Sequence, residues 1–211
     1  IQESRVNASD YNIGDVSEAQ HKNINHNFDK LHEKQALITD KPGLDLNQIK
    51  ALTRRANKYF NKKLGLVVID YLTMIRMEKL ENYKTIGKVV TELRDLAKEQ
   101  DVPVLLLHQI NRKLHDRKDN EPKLSDLRDS GEIEERADEV LFVHRPEYFR
   151  KMDDNDQEEA KVQDDVKIIV AKHRTGKTGY KFFTWYPEIL RFQDGIIYEE
   201  EGPLNYLSKG D

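Results

Sequence analysis

Four apolar segments of this sequence end in polar residues of the types that bind phosphate and metal ions. The segments are LGLVVID (64–70), VPVLLLH (102–108), EVLFVHR (139–145) and VKIIVAK (166–172). The polar residues at their ends are Asp70, then His108 and Gln109, then His144 and Arg145, and finally Lys172, His173 and Arg174. Ligands of open α/β sheets bind beyond the carboxyl ends of the strands, so these residues are the first candidates for a functional site.

Asp70 and Gln109 each allow two interpretations. An apolar strand that closes on aspartate is the Walker B pattern, in which the carboxylate helps to hold Mg²⁺ beside a nucleotide. Gln109 follows three leucines and one histidine, and its amide could sense a phosphate group. Both residue types also end strands simply as caps. The pattern alone therefore leaves a nucleotide site and ordinary strand termination open.

The segment HRTGKTG (173–179) contains Gly-Lys-Thr but does not fit a phosphate-binding P-loop. That motif requires glycine at position 171, where Ala171 stands, and a helix after it. The following YKFFTW (180–185) is typical of a strand instead, so we predict a hairpin turn that bears cations. Lys172 and Arg174 point to the same side of an extended chain, which suits a phosphate supplied from outside the chain.

The stretch from Arg112 to Arg128 concentrates positive charge, with six basic and four acidic residues. Downstream, DLRDSGEIEERAD (126–138) predicts a short helix that opens at a glycine, where backbone N–H groups could hold a phosphate. From composition alone, a solvated loop is the better explanation of the stretch from Arg112 to Arg128. Residues 150–165, with three basic and seven acidic residues, would repel nucleic acid and are predicted to be a surface excursion.

The elements that must position these residues alternate between strands and helices. Apolar residues at helical spacing predict a helix over 85–100, and Asp45 with Gln48 predicts a capping box for a helix that precedes Asp70. Asp15 with Glu18 predicts another capping box, and ALIT (36–39) is predicted to be a strand. Strands buried on both faces and separated by helices indicate an α/β sheet with right-handed crossovers. YKFFTW (180–185) and ILRF (189–192) are predicted to be antiparallel strands.

Composition excludes several classes of function. With 35 basic and 39 acidic residues the net charge is −4, so total charge does not indicate a nucleic-acid binder. The absence of cysteine excludes disulfides, thiolate metal sites and cysteine nucleophiles. No apolar run approaches the roughly 18 residues of a membrane span, so we expect a soluble intracellular protein. Because the sequence opens at Ile1 without methionine, we expect a piece of a longer protein.

Four ordered segments resemble DnaB-type hexameric replicative DNA helicases, in their C-terminal RecA-like motor domain. They are LGLVVIDYLTMIR, LAKEQDVPVLLLHQINRKL, SDLRDSGEIEERADEVLFVHR and IIVAKHRTGKTG, and LRFQDG (190–195) is similar to the family's closing strand. The resemblance implies a RecA-like P-loop NTPase fold of the α/β class. Its mostly parallel sheet would be flanked by helices, with a C-terminal antiparallel extension and an N-terminal truncation. Residues 1–35 would form a polar helical lead-in, 36–195 the core and 196–211 a tail.

The resemblance also implies roles for the residues at the nucleotide. Asp70 matches the Walker B carboxylate and would be the metal-side ligand, while Gln109 matches the glutamine that links the γ-phosphate to the DNA-binding loops. Lys172 and Arg174 match the cation pair that reaches the neighbouring subunit's nucleotide, with Arg174 as the arginine finger. The family often has serine at the position of His108, to which we assign no role.

A second set of residues resembles the family's grip on single-stranded DNA. Arg128, Asp129 and Gly131 fall in the segment that holds the strand backbone, and the nearby cations implied to contact DNA are Arg112, Arg117 and Lys118. The family usually has glutamate at the position of Asp129. If the contact is made by the main chain this difference matters little, whereas a side-chain contact would be affected.

The resemblance implies an ATP- and Mg²⁺-dependent helicase that moves 5′ to 3′ on single-stranded DNA and unwinds duplex at the replication fork. The intact protein would be a cytoplasmic homohexamer of bacterial, phage or plasmid origin that works with a helicase loader and a primase, without a membrane. The family's Walker A loop and catalytic glutamate lie upstream of the position matching Ile1, so we expect this chain alone neither to hydrolyse ATP nor to bind it tightly.

The alternatives are a catalytically inactive module that binds a loader or a helicase ring, and a RecA-type recombination or repair ATPase. The DLRDSG and Lys-x-Arg segments argue against the latter.

Overall fold

The computed structural model describes residues 6–32, 35–76, 83–110, 114, 117, 120–146 and 164–194. The helices are α1 (Ala8–Ile13), α2 (Glu18–His32), α3 (Leu46–Phe60), α4 (Tyr83–Gln100) and α5 (Gly131–Arg136). The strands are β1 (Val67–Ile69), β2 (Val104–Leu106), β3 (Glu139–His144), β4 (Asp164–His173), β5 (Gly179–Tyr186) and β6 (Arg191–Asp194). Short 3-10 segments occupy Leu72–Met74, Leu124–Ser130 and Pro187–Ile189. No helix in these ranges has the length and hydropathy to cross a membrane.

The described residues separate into two compact units. The Asp70 unit takes those within Ala36–Leu114 and Pro122–Val140. The hairpin unit takes those within Ile1–Gln35, His115–Glu121 and Leu141–Asp211. The candidate residues at the ends of β1 and β2 lie in the first of these units, and those at the end of β4 lie in the second.

A parallel strand pair and its crossover helix form the frame of the Asp70 unit. β1 and β2 run parallel, with Val68 opposite Leu105, and α4 makes the connection that parallel strands require. One side of the pair packs on a core built from α3, α4, α5 and the segment after β1. The buried members of this core are Ile49, Leu72, Ile75, Val89, Val90, Leu93, Leu96 and Ile133.

Helix α3 is fixed at both ends by local hydrogen bonds. The predicted capping box is confirmed: the Gln48 N–H donates to Asp45 Oδ1 at 2.8 Å, and the Asp45 N–H donates to Gln48 Oε1 at 3.1 Å. The backbone hydrogen bond from Gln48 holds the pKa of Asp45 below its ordinary value. At the other end Asn61 adopts the left-handed conformation, with φ of 48°. The Asn61 and Lys62 N–H groups donate back to Lys58 and Asn57, which is a Schellman ending.

A four-stranded sheet has the order β3-β4-β5-β6, and its strands β4, β5 and β6 belong to the hairpin unit. β4 and β5 pair antiparallel over seven positions, from Asp164 opposite Trp185 to Val170 opposite Gly179, and β5 and β6 are also antiparallel. The predicted antiparallel strands near the end of the chain are therefore confirmed. The predicted hairpin turn is confirmed as well, because residues 174–176 form a bend between β4 and β5.

Two local predictions are wrong. The segment ALIT (36–39) has no strand conformation; it pairs with no strand in the described part of the chain, and Ile38 is 89% exposed. The capping box of α2 is formed by Ser17 and Gln20 and not by Asp15 and Glu18. The Ser17 N–H donates to Gln20 Oε1 at 2.8 Å and the Gln20 N–H donates to Ser17 Oγ at 3.3 Å, because α2 begins at Glu18 and puts Ser17 in the capping position.

The prediction that β1 to β3 are buried on both faces is also wrong. Val68 is 54% exposed and its cross-strand neighbour Leu105 is 45% exposed, whereas Ile69 and Leu106 turn toward the core. β3 likewise alternates buried and exposed residues. Within the described ranges the core covers only one face of the β1–β2 pair, and the opposite apolar face meets solvent.

Candidate functional site

The carboxyl ends of β1 and β2 bring Asp70 and the segment before Gln109 to one edge of the parallel pair. The Leu107 N–H donates to the Ile69 carbonyl at 3.0 Å, and the Leu72 N–H donates to the Leu107 carbonyl at 2.9 Å. Asp70 lies in the short step between Ile69 and Leu72, and Gln109 follows two residues after Leu107. Both side chains are exposed. This edge therefore offers a carboxylate and an amide to a ligand that approaches from solvent.

The donor set at this edge fits a magnesium ion carried by a nucleotide. Mg²⁺ usually takes one or two carboxylates, keeps several waters and completes its shell with substrate phosphates. Asp70 supplies one such carboxylate. No group of three or more His, Asp or Glu side chains suited to a metal occurs in the parts of the chain that the structure describes. Asp70 alone could contribute one ligand to a site of that kind, and its role as a metal ligand stays a prediction.

His108 directly precedes Gln109 in the chain and is half-buried. Burial of the imidazole lowers the pKa of His108 below its ordinary value of 6.5. The lowered pKa favours the neutral imidazole over the charged one.

The turn after β4 carries the predicted cation pair. Lys172 is a half-buried residue of β4, which ends at His173, and Arg174 is the exposed first residue of the bend. Side chains alternate between the two faces of β4 only as far as His173. The argument that put Lys172 and Arg174 on the same side therefore does not extend to Arg174. Both residues belong to the hairpin unit. Their role at a nucleotide stays a prediction.

The imidazole of His173 organises this turn, a feature that the sequence interpretation missed. The Thr175 N–H donates to His173 Nδ1 at 3.3 Å. A methyl group placed on Gly176 would lie 2.7–2.8 Å from three atoms of the ring, so the chain passes directly over it. A histidine three residues before a glycine in a tight turn was the available signal, but that spacing occurs without such packing in many turns.

The other strand-end pair, His144 and Arg145, is engaged in packing. His144 is buried with only 3% exposed, and the Arg145 guanidinium carbon lies 6.0 Å from the centre of the Trp185 ring. Trp185 in turn contacts Phe192, with ring centres 4.4 Å apart. These contacts pack His144 and Arg145 into the sheet of the hairpin unit.

Among the predicted DNA contacts, Arg117 is tied into its own loop. Its Nη2 donates to the Glu121 carbonyl at 2.7 Å. The Glu121 carboxylate accepts a hydrogen bond from Lys167 Nζ at 2.7 Å, and the same ammonium lies 4.0 Å from the centre of the Tyr180 ring. The loop that ends at Glu121 is thus anchored to the β4–β5 hairpin by a half-buried ion pair.

Gly131 begins α5 with nothing around it that requires a glycine. Its φ of −50° and ψ of −28° suit any residue, and an added Cβ would meet no described atom within 4 Å. Gly87 of α4 is the opposite case, since an added Cβ would lie 2.8 Å from Glu132 Cβ and 2.6 Å from its Oε2. Glu132 is held there by Arg136, whose Nε donates to Oε2 at 2.7 Å.

The remaining predicted DNA contacts are described only in part. Arg128 and Asp129 lie in the 3-10 segment Leu124–Ser130, and their side chains fall outside what the structure describes. Arg112 and Lys118 lie outside the described residues altogether. The roles assigned to these four residues stay predictions.

Comparison with solved structures defines the class of domain. The chain superposes on a solved ATPase domain with a TM-score of 0.80 and 29% identity, covering 92% of this chain and 68% of that one. It superposes on a DnaB-like replicative helicase, solved in a study of its interactions with primase, with a TM-score of 0.78 and 29% identity. That match covers 90% of this chain and 46% of the helicase. The predicted RecA-like α/β fold is therefore confirmed.

Sequence comparison identifies the family. The family model described as the DnaB-like helicase C-terminal domain matches residues 1–194, so the chain belongs to that family. Similar proteins include the replicative DNA helicase DnaB of Rickettsia typhi, 35% identical over 83% of this chain and 37% of that protein. Another is DnaB of Helicobacter pylori strain 26695, which is 32% identical over 93% of this chain and 46% of that protein. A third is the replicative DNA helicase DnaC of Bacillus subtilis, which is 31% identical over 90% of this chain and 40% of that protein.

This chain thus spans less than half the length of the curated relatives it matches. The names of these relatives agree with the predicted helicase family. They favour neither of the two alternatives, an inactive interaction module and a recombination or repair ATPase.

Proposed function

We propose that this chain is part of the motor of a replicative DNA helicase. The motor would use ATP and Mg²⁺ to move 5′ to 3′ along single-stranded DNA and unwind duplex at the replication fork. The observation that carries the proposal is the shared edge of β1 and β2 in a chain of this family, where backbone hydrogen bonds join the residues on either side of Asp70 to Leu107, two residues before Gln109. The intact protein would work in the cytoplasm as a homohexamer with a loader and a primase.

Each residue of the nucleotide site has a distinct proposed task. When bound, ATP would supply the phosphoanhydride bond that is cleaved, and Mg²⁺ would offset the negative charge of its phosphates. Asp70 holds the metal side of the nucleotide through its exposed carboxylate. Gln109 senses the terminal phosphate through its amide and passes that state to the chain that follows β2. Lys172 and Arg174 bring positive charge to the nucleotide of the neighbouring subunit, with Arg174 stabilising the transferring phosphoryl group.

The proposed DNA grip is directed at the backbone of the strand. Arg128, Asp129 and Gly131 would hold phosphates, with additional charge from Arg112, Arg117 and Lys118. The open space around Gly131 supports a close approach by a strand, since no neighbouring described group explains the glycine. Phosphate contacts carry no sequence information, so the motor could step along any strand.

Replacement of Asp70 by asparagine in the full-length protein tests the proposal. The change preserves shape and removes the charge, so Mg²⁺-dependent ATPase activity should fall by about 10²-fold or more, while ring assembly persists. Asp95→Asn is the matched control, because Asp95 is an exposed carboxylate of α4 in the same unit. Equal ATPase activity of the two variants would contradict the assignment of Asp70 and remove its main support.

A further inference from the structure

Helix α3 has a charge pattern that the proposed motor does not use. Residues 46–63 contain six basic residues and no acidic residue, in a chain whose net charge is −4. This is a stronger local excess of positive charge than that of the stretch 112–128, which has six basic and four acidic residues.

Half of these six cations are neutralised within the Asp70 unit. Their partners lie on α4 or immediately after it, and the ion pairs are Lys50 with Glu92, Arg54 with Glu99, and Lys63 with Asp101. The Arg54 Nη2 lies 2.6 Å from Glu99 Oε1. The hydrogen bond from Arg54 lowers the pKa of Glu99, and that from Lys50 lowers the pKa of Glu92. These three ion pairs neutralise the cations on the side of α3 that faces α4.

The other three cations, Arg55, Lys58 and Lys62, are exposed and form no ion pair or hydrogen bond through their side chains within the described ranges. Arg55, Lys58 and Tyr59 are spaced i, i+3 and i+4, so they share one face of the helix. Lys62 follows in the Schellman turn directly after the helix. Tyr59 is 77% exposed, and its ring forms an edge-to-face pair with Phe60, with ring centres 5.1 Å apart.

We infer that the outer surface of α3, formed by Arg55, Lys58, Tyr59 and Lys62, binds single-stranded DNA. The inference rests on the proposed function, because it adds a second DNA contact to the same motor. Cations placed beside an exposed aromatic ring are the combination that holds a single strand: the cations take phosphates and the ring stacks on a base.

The composition of this surface favours DNA over an acidic protein. The centres of protein interfaces are depleted of lysine and built around apolar anchors. Here two of the four residues are lysines, and the apolar residues Ile49 and Ala56 of the same helix are buried within the Asp70 unit. Protein–DNA interfaces are more polar and far more positive, which matches the surface of α3.

The test is the salt dependence of binding to an oligo-dT probe, measured by fluorescence anisotropy on the full-length protein. In the variant Arg55→Gln/Lys58→Gln/Lys62→Gln, the slope of log K against log salt should become shallower by about 2, since each lost phosphate contact removes about 0.7 on a single strand. The control Lys41→Gln/Lys88→Gln/Lys98→Gln removes the same charge from exposed residues of the same unit and should keep the wild-type slope. The unfolding midpoint of each variant checks that the fold is retained.

A second variant tests the role of the ring. Tyr59→Ala should weaken binding to oligo-dT by about fivefold or more, because base stacking on an aromatic side chain contributes at least about that much, and should leave binding to a duplex of equal length unchanged. Equal weakening on both probes would overturn the assignment to a single strand.

Three results would overturn the inference and separate it from the proposed function. If the triple variant keeps the wild-type slope while Arg128→Ala weakens DNA binding, α3 is not a DNA surface and the proposed motor stands. If neither variant changes DNA binding, the proposed DNA grip fails as well. If the triple variant keeps the slope but loses binding to polyglutamate, the surface recognises an acidic protein.

Discussion

Replacing Gly87 and Gly131 by alanine, one at a time, should change local stability in opposite directions. Both glycines have helical neighbours, and alanine would ordinarily stabilise a helix by about 1 kcal/mol over glycine. At Gly87 the added methyl would lie 2.8 Å from Glu132 Cβ, an atom close to the backbone of α5 that cannot swing away. Helix α5 must therefore shift, and overpacking of this kind costs about 3 kcal/mol.

The net result expected for Gly87→Ala is a loss of about 2 kcal/mol in the local stability of α5, after the gain in helix propensity offsets part of the clash. This corresponds to about 30-fold faster hydrogen exchange of the α5 amides. Gly131→Ala should stabilise α5 by about 0.4–1 kcal/mol, because its right-handed backbone accepts alanine and the space around it is open. Hydrogen exchange of the full-length protein, read by mass spectrometry over α4 and α5, measures both changes.

The same pair of variants separates stability from DNA binding. If Gly131 is used for close approach of a strand, Gly131→Ala should weaken DNA binding about tenfold while slowing exchange in α5, since one charge-assisted backbone contact is lost. Slower exchange in α5 of Gly87→Ala would refute the close packing of α4 on α5. Unchanged DNA affinity of Gly131→Ala would refute the use of that glycine by the strand.

Two further predictions concern the ATPase cycle and pH. Arg174→Ala in the full-length protein should retain nucleotide binding and ring assembly but lose hydrolysis by a factor on the order of 10³. Rings mixed from Arg174→Ala and Asp70→Asn subunits should regain partial activity where an intact pair meets across a boundary, and full activity of the Arg174→Ala ring alone would end the finger assignment. Burial lowers the pKa of His108 in the folded state below its ordinary value of 6.5. As the pH falls below about 6.5, the unfolded state therefore takes up a proton before the folded state does, and the free energy of unfolding decreases until the folded pKa is reached. His108→Gln should show a smaller drop in unfolding midpoint over that range, and an equal drop in the variant and the wild type would argue against this burial effect.

Local patterns were sufficient to predict the elements but not their surroundings. The capping box of Asp45 and Gln48 was visible because both partners lie within one turn of the helix start. The N-terminus of α2 offered two candidate caps, and the choice of Ser17 over Asp15 depends on where the helix begins, which a sequence pattern defines only to within a few residues. Strand positions followed from apolar runs in the same way.

Features that depend on distant partners could not be predicted. An apolar run does not reveal how many faces are covered, so the exposure of Val68 and Leu105 was missed. The strand-end residues Asp70 and Gln109 could be predicted as candidates, because the carboxyl ends of neighbouring parallel strands meet at one edge. The packing of Glu132 against Gly87 joins residues far apart in sequence, and nothing in either local pattern indicates it.

Strand β4 links two regions that sequence presents as separate. It carries Lys167, whose ammonium holds Glu121, and five residues further on Lys172, a separation of about 17 Å along the strand. Pairing with β5 covers β4 from Asp164 to Val170, so it includes Lys167 and ends two residues before Lys172. Because β4 continues to His173, we expect a displacement of the turn that bears Arg174 to reach Glu121, and with it Arg117, which donates to the Glu121 carbonyl. One strand thereby connects a predicted phosphate contact with a predicted DNA contact.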